Sequence, residues 1–429
     1  MRNISENKGT MSTLFKFMIG AILIVLLANS CGQSVQRRFC QTADVDIIPS
    51  SYTFNKAVRR KMCSDPLAYT TKHERPHERP VRYIRTNFHI VNTSSGKHNF
   101  KEEEGITYIK NLVNNANSDL RENAKMNLPV GNDTPVLPPN LQLQIVPHLT
   151  KRGQKGIYFH QDDELCFYVH RGKNKNLFDR EVIKKYAIQE DSVVNVFVLP
   201  HHPDSVASKT YRAGGVGVAL GTNMKLSGMF ESGRPFWHFR KVLNHEMGHI
   251  LGLQHAWTNY DGCDDTPKHA NCWTGVKSAE CGEVYSNNMM DYNALQKALT
   301  PCQIGKIHRS MSDLNHRARK MLVPTWCQLD TAKSVFIRDS VVWRGARDLE
   351  GHIAVLKGGV LRIACRVSMP KNAKIVVEEG ATLIIENALI HNDCGDEWQG
   401  IELRTRGNEK GIIQFIGDAR LEDVIHNVK

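Results

Sequence analysis

Apolar residues alternate with polar ones from Arg82 to Val91 and again from Leu141 to Val146, which predicts two strands that each bury one face. Between them Ile106, Ile109, Leu112, Val113, Ala116 and Leu120 recur at helical spacing, so a helix should cross there. Asn176 to Ile188 reads as a short helix, and the β-branched run Val193 to Leu199 as a buried strand. A further helix is expected from about Pro235 to Leu251, with Phe239, Leu243 and Ile250 toward the core and Val242, His245, His249 and Leu253 on a second face. Thr300-Pro301-Cys302-Gln303 has a Thr cap, a first-turn Pro and a Gln three residues on, and should start a helix running to about Leu322. From about Ser334 the period changes. Short β-rich runs recur with Gly and Asn between them: Val335–Ile337, Val360–Ile363, Lys374–Val377, Thr382–Ile385 and Gly411–Phe415. The fold class expected is α+β up to about residue 330, then an all-β segment over 334–429.

One stretch carries chemistry. His245-Glu246-Met247-Gly248-His249-Ile250-Leu251-Gly252-Leu253-Gln254-His255 reads H-E-x-x-H-x-x-G-x-x-H. Four residues apart on a helix, His245 and His249 share a face and can grip one zinc ion. Gly252 can enter the left-handed region, stop the helix and bring His255 round as a third ligand. Three protein ligands leave a fourth position for water, and Glu246 can take a proton from that zinc-bound water. A chance match to so long a pattern in this composition is on the order of one in ten thousand.

Downstream lies Ser286-Asn287-Asn288-Met289-Met290-Asp291-Tyr292-Asn293, preceded by Asp261-Gly262-Cys263-Asp264-Asp265-Thr266-Pro267 and followed by Leu299-Thr300-Pro301-Cys302-Gln303. Together with the histidine motif these blocks resemble the pappalysin family of metzincins, and its bacterial cytophagalysin-like members in particular. The resemblance covers residues 82 to about 327. It implies a mixed sheet with a zinc helix, a Met-turn at Met290 beneath the metal, and Tyr292 beside the metal as an oxyanion stabiliser. It also implies calcium as a possible second cofactor, with Asp261, Asp264 and Asp265 as candidate ligands; aspartates that simply face solvent, or that favour basic substrates, are the alternatives. Some relatives are kept latent by a pro-segment cysteine. Cys63, flanked by Arg59, Arg60 and Lys61, is the candidate here, against a plain Cys40–Cys63 disulfide. The stretch Gly214 to Gly221 lacks the spacing of a nucleotide loop. By analogy with metzincins it lies in or beside the edge strand that pairs with extended substrate, a role for which a simple glycine-rich loop is the alternative. The passage from Met369 to Ile401 resembles β-solenoid repeats that follow such proteases in bacterial exported proteins, with Cys365 and Cys394 as candidate staples between rungs.

The 429 residues leave room for two or three cores, and 41% hydrophobic with 23% charged residues excludes a disordered chain. The net charge of +12 is concentrated: residues 37–85 hold eleven Lys/Arg against five Asp/Glu. No nucleic-acid motif accompanies it, so a solvated leader explains it better than nucleic acid. Residues 1–31 read as an export signal, with Arg2, Lys8 and Lys16 ahead of the apolar run Phe17 to Ala28. Leu26-Leu27-Ala28-Asn29-Ser30-Cys31 resembles a lipoprotein signal, which would attach Cys31 to a membrane; ordinary cleavage and a retained anchor are the alternatives. Residues 32–81, with the proline-broken run Lys72 to Pro80, read as a leader or pro-segment. Eleven cysteines suit an oxidising compartment, and Cys263, Cys272, Cys281 and Cys302 should form two disulfides in one of three pairings, with a second zinc site as the weaker alternative. His201, His202, His238 and His269 have no ligand spacing and read as surface or structural.

The expectation is a secreted or lipid-anchored zinc endopeptidase at a bacterial cell surface, acting on protein or peptide, with its catalytic domain over 82–330 and an unidentified partner for the β segment. Two rivals are a binding protein that uses the β segment as an adhesin and a zinc hydrolase acting on small molecules. The presence of Glu246 and all three histidines argues against an enzyme that has decayed into the first.

Overall fold

The structure, a computed structural model, describes residues 63–429 except 97–98, 147–155, 169–178, 208, 210–215, 230–234, 258–260, 270–271, 273–283, 293–295, 427 and 429. The expectations for Cys31, Cys40, Gly214, Gly215 and Cys281, and for the export signal, lie outside these residues. No described helix is long and apolar enough to cross a membrane.

The first core is built on a six-stranded mixed sheet. Strand β1 (Arg82–Asn92) pairs in parallel with β2 (Leu141–Ile145) over its first half and with β3 (Ile157–Gln161) over its second. On its other side lies β4 (Val194–Leu199), then β6 (Asn223–Ser227), and at the edge β5 (Val216–Leu220), the one antiparallel member. Helix α1 (Glu102–Arg121) and the motif helix α3 (Arg240–Ile250) cover one face. Helix α2 (Glu181–Tyr186) covers the other, closing a smaller cluster around Phe197 and Ile183. An ion pair from Arg240 Nε to Asp119 at 2.6 Å and a bond from Asn244 Nδ2 to the Ala116 carbonyl at 3.0 Å fix α3 against α1.

Helix α4 (Pro301–Ser312) starts with the expected capping box, Thr300 and Gln303 each accepting from the other's backbone N–H. The helix expected to reach Leu322 instead stops at Asp313 and resumes as the single turn α5 (Arg317–Lys320), capped by the His316 ring. The break sets Arg319 beneath the β segment.

That segment stacks in parallel on three sides. One side carries Val335–Ile337, Ile353–Val355, Lys374–Val377 and Gly400–Leu403; the second Ser340–Trp343, Val360–Ile363, Thr382–Glu386 and Ile412–Ile416; the third four shorter pieces at 347–348, 367–368, 389–391 and 420–421. The register superposes like on like: Val335, Ile353, Ile375 and Ile401 form one inward ladder, and Val341, Leu361, Leu383 and Ile413 another. Each rung alone cannot close a core; stacking makes it continuous. A solenoid-like architecture follows from this pairing.

The two cores are joined by ionic contacts and by covalent bonds. Asp348 accepts from Arg319 at 2.8 and 3.0 Å and pairs with Arg366 at 2.7 Å, while Glu350 pairs with Arg82 at 3.1 Å. The Trp326 ring lies under the guanidiniums of Arg82 and Arg319. Cys327 is bonded to Cys394, and Cys63 to Cys365. Cys365 and Cys394 therefore do not staple adjacent rungs; each ties a rung to a segment outside the stack.

The segment read as a removable leader is folded from Cys63 onward. Gly305 of α4 has no side chain because a Cβ would stand 2.0 Å from the Pro66 carbonyl oxygen. Glu78, Arg79 and Pro80 are buried, and Arg347 of the first rung pairs with Glu78 at 3.2 Å. Residues 63–80 thus form a strap across α4 and the first rung.

Candidate metal centre

Helix α3 ends as its sequence requires. Gly252 has φ +96°, Leu253 N–H bonds to the Gly248 carbonyl at 2.9 Å and Gly252 N–H to that of His249 at 3.0 Å, a Schellman turn. The chain reverses there and returns His255 toward the helix. The Nε2 of His249 then lies 3.2 Å from the Nε2 of both His245 and His255.

These atoms fit a zinc ion. Two ligands held about 2.0–2.1 Å from a tetrahedral ion stand roughly 3.3–3.4 Å apart. The Nδ1–H of His245 donates to the Met289 carbonyl at 2.9 Å and that of His249 to the Leu253 carbonyl at 3.0 Å. A carbonyl can only accept, so the proton sits on Nδ1 and the Nε2 lone pair faces the centre. Burial, aided by the neighbouring His249, pushes His245 down to about 3 and His255 down to about 4. Neutral imidazoles converging on their lone pairs are what a cation needs.

Glu246 sits beside this centre. Burial raises its carboxyl to about 7, against a bond from the Ala219 backbone N–H that favours the ionised form. The strand above it is β5, the sheet edge. A Cβ on Gly217 would meet Glu246 Cγ at 2.7 Å and Oε1 at 2.8 Å, so this strand approaches the carboxylate because position 217 is glycine. The described part of the glycine-rich stretch is therefore strand rather than loop, and its Gly217 and Ala219 address Glu246.

Met290 is fully buried beneath the helix, where a Cβ on Gly248 would stand 2.5 Å from its sulfur. Its turn is held by several side chains. Asn288 and Gln303 pair amide to amide at 2.8 and 3.1 Å, which hangs the turn on the cap of α4. Asn287 bonds the Lys125 carbonyl at 2.7 Å and the Asn127 N–H at 2.8 Å. Asp291 accepts from the His269 ring at 2.8 Å and from Ser286 Oγ. Gln296 donates to the Asp291 carbonyl at 2.5 Å and lies 3.1 Å from His245 Nδ1. His269 and Gln296 were not legible as parts of the site, since neither has a spacing that ties it to the motif. Tyr292 is half exposed at the mouth, with its ring 4.8 Å from His255 and 4.5 Å from Trp257. Burial and the nearby Glu246 raise its phenol, keeping it protonated.

Other expected site residues fall elsewhere. Cys63 is bonded to Cys365, so it has no thiol to offer the metal and does not pair with Cys40. Its basic neighbours suggested a low thiol pKa, but a partner 302 residues away decides its state. Cys263 is bonded to Cys302, and Cys272 is also disulfide-bonded, which removes the second zinc site. Asp261, Asp264 and Asp265 do not converge as a ligand group among the described residues. Asp261 accepts from Thr266 at 2.6 Å, its carbonyl takes the Lys306 ammonium, and Asp265 accepts from Cys302 N–H at 2.9 Å.

Residues 180–312 match the family Peptidase_M43, described as pregnancy-associated plasma protein-A. That span contains β4 to β6, α3, the Met-turn and α4. No curated protein matches. Among solved structures the chain is similar to mature mirolysin of Tannerella forsythia in complex with a cleaved peptide, at 18% identity and TM-score 0.42, covering 57% of this chain and 96% of that one. A promirolysin mutant of the same organism is 15% identical with TM-score 0.41, covering 62% and 92%. Mirolysin in complex with compound 9 is 16% identical with TM-score 0.40, covering 57% and 96%. With the family match laid over three convergent imidazoles, an adjoining carboxylate and a buried Met290, residues 180–312 carry a domain of the Peptidase_M43 type, and the chain is a zinc metalloprotease whose substrate is peptide or protein.

Proposed function

We propose that the chain is an exported endopeptidase in which His245, His249 and His255 hold zinc and Glu246 is the general base. The observation that carries this reading is the placement of Glu246, next to the first imidazole and under the open edge of β5. Zinc, when bound, polarises the scissile carbonyl and lowers the pKa of water. Substrate lies extended along β5, whose outer backbone groups pair with it as an added strand. Glu246 takes the proton of the attacking water and passes it to the leaving nitrogen. Tyr292 donates its hydroxyl proton to the oxyanion as a hydrogen bond. Asn288, Gln303 and Gln296 hold the turn that carries Met289 and so keep the His245 ring in one tautomer.

Export is supported by the signal-like residues 1–31 and by the disulfides, which form in oxidising compartments. Lipidation at Cys31 would anchor the enzyme to a membrane; growth with a labelled fatty acid, compared with Cys31→Ala, reads this directly. Calcium is a possible second cofactor in this reading, with Asp261, Asp264 and Asp265 as its candidate ligands.

The test of the mechanism is Glu246→Gln. The variant should keep one zinc per chain by elemental analysis, while peptide hydrolysis falls about 10²–10⁴-fold. An unchanged rate with zinc retained would remove Glu246 from the mechanism.

A further inference from the structure

Far along the chain from the metal centre, the strap and the first rung of the β stack enclose a cavity of about 340 Å³. Five cations line it, Lys72, Arg75, Arg79, Arg344 and Arg347, against two carboxylates, Asp65 and Glu78. Glu78 is already shared between Arg347 at 3.2 Å and Arg75 at 3.3 Å. Asp65 spends an oxygen on the Leu67 N–H.

Arg79 is the unusual member. It is buried, and its hydrogen bonds go to carbonyl oxygens, of Ala346 at 3.0 Å and Ala68 at 3.0 Å, with its guanidinium over the Tyr69 ring. Among the described residues it has no carboxylate within ion-pair distance, and its Nε has no partner. Arg347, equally buried, also leaves Nε without a partner. An uncompensated buried cation costs several kcal/mol, and the other buried guanidiniums of this interface, Arg82, Arg319 and Arg347, each have a carboxylate. At the cavity mouth Lys72 and Arg344 are exposed and have no ion pair among the described residues.

We infer that this cavity is an anion site for a tetrahedral oxyanion, a phosphate or sulfate group, with Arg79 as the buried counter-charge and Lys72 and Arg344 as the mouth. Guanidiniums suit such oxygens because their N–H donors are planar and forked. Leu67 and Val342, both exposed and apolar, flank the mouth and would meet the organic part that bears the group. The site is independent of the proteolytic reading, since none of its residues touches the metal centre.

The test uses the whole chain with zinc bound, titrated with inorganic phosphate or inorganic sulfate by calorimetry, at ionic strength held constant with chloride. Saturable binding at one site per chain is expected. Lys72→Ala/Arg344→Ala, two exposed positions that leave the fold intact, should weaken it at least tenfold while peptide hydrolysis is unchanged. Arg79→Met should abolish it, and a far-ultraviolet dichroism spectrum reports whether that variant folds. A sugar phosphate and a sugar sulfate, compared in the same cell, distinguish the two sources of the group. Heats no larger than those of chloride, or an affinity unmoved in the double variant, would overturn the proposal.

Discussion

At Gly217 the chain omits a side chain where one would strike the base. The methyl of Gly217→Ala would stand 2.7 Å from Glu246 Cγ, so the edge strand or the carboxylate must move. Misplacement of about an ångström at a reacting group costs on the order of 10²-fold. Peptide hydrolysis should therefore fall about 10–100-fold, with zinc content and folding unchanged. Gly248→Ala acts differently. Its methyl meets the Met290 sulfur at 2.5 Å in a closed core, and overpacking of this kind costs about 1–3 kcal/mol. A lowered denaturant midpoint, with faster zinc loss to a chelator, is the expected result; wild-type values in both would show that Met290 can yield. At this scale the histidines, Glu246 and Gly252 were legible from spacing, because a helix and its stop are local, and Met290 only through the family resemblance. His269, Gln296 and Gly217 were not, because each gains its meaning from a residue brought to it by the fold.

Elements whose burial pattern follows the simple rule were also legible. Strands β2 and β4 and helix α1 bury most of the apolar positions expected of them, whereas β1, expected to bury one face, is buried on both from Thr86 to Val91. Strand β6 had no such signal. Its Asn223, Lys225 and Ser227 are buried, with Asn223 bonded to Glu190 at 2.8 Å and Lys225 to the Asp179 carbonyl. Polar residues buried inside a sheet look exposed to any hydropathy rule. The same habit places neutral histidines in the elements. His308 of α4 donates to the Pro139 carbonyl at 2.7 Å, and His89 of β1 contacts Asn195 and His160 at 2.9 Å each. Burial lowers both to about 3. Below about pH 6.5 the unfolded chain takes up protons that the folded chain refuses, so stability falls as pH drops from there toward the folded values. The buried imidazoles of the metal centre act in the same direction. The urea midpoint should fall steadily between pH 7 and 5, at most about 1.4 kcal/mol per pH unit for each such group. A flat midpoint over that range would contradict the assignment of neutral buried histidines.

Across the whole molecule, the catalytic core and the β stack share a buried ionic seam closed by two disulfides. Its centre, Asp348, is held well below the usual carboxylate range, burial opposing it and Arg366 and Arg319 outweighing burial. Because the folded value is depressed, the stability it supplies is present above about pH 3.9 and is lost only below it, which separates it from the histidine effect. Asp348→Asn leaves Arg319 and Arg366 under-compensated, and breaking such a pair costs about 3–5 kcal/mol. Both cores should then unfold earlier and together; a transition confined to the β stack would show that the seam does not couple them. The pairing of Cys63 with Cys365 and of Cys327 with Cys394 could not be reached from sequence, since parity and spacing leave connectivity open.

The most direct test of the central claim is a list of cleavage sites. The purified chain is incubated with a proteome-derived peptide mixture, with and without a zinc chelator and after zinc is restored, beside Glu246→Gln, and new termini are identified by mass spectrometry. Internal cuts that vanish with the chelator, return with zinc and are absent in the variant are the result expected of a zinc endopeptidase with Glu246 as base. Cuts that persist in Glu246→Gln, or an absence of cuts by the zinc-loaded chain, would contradict it.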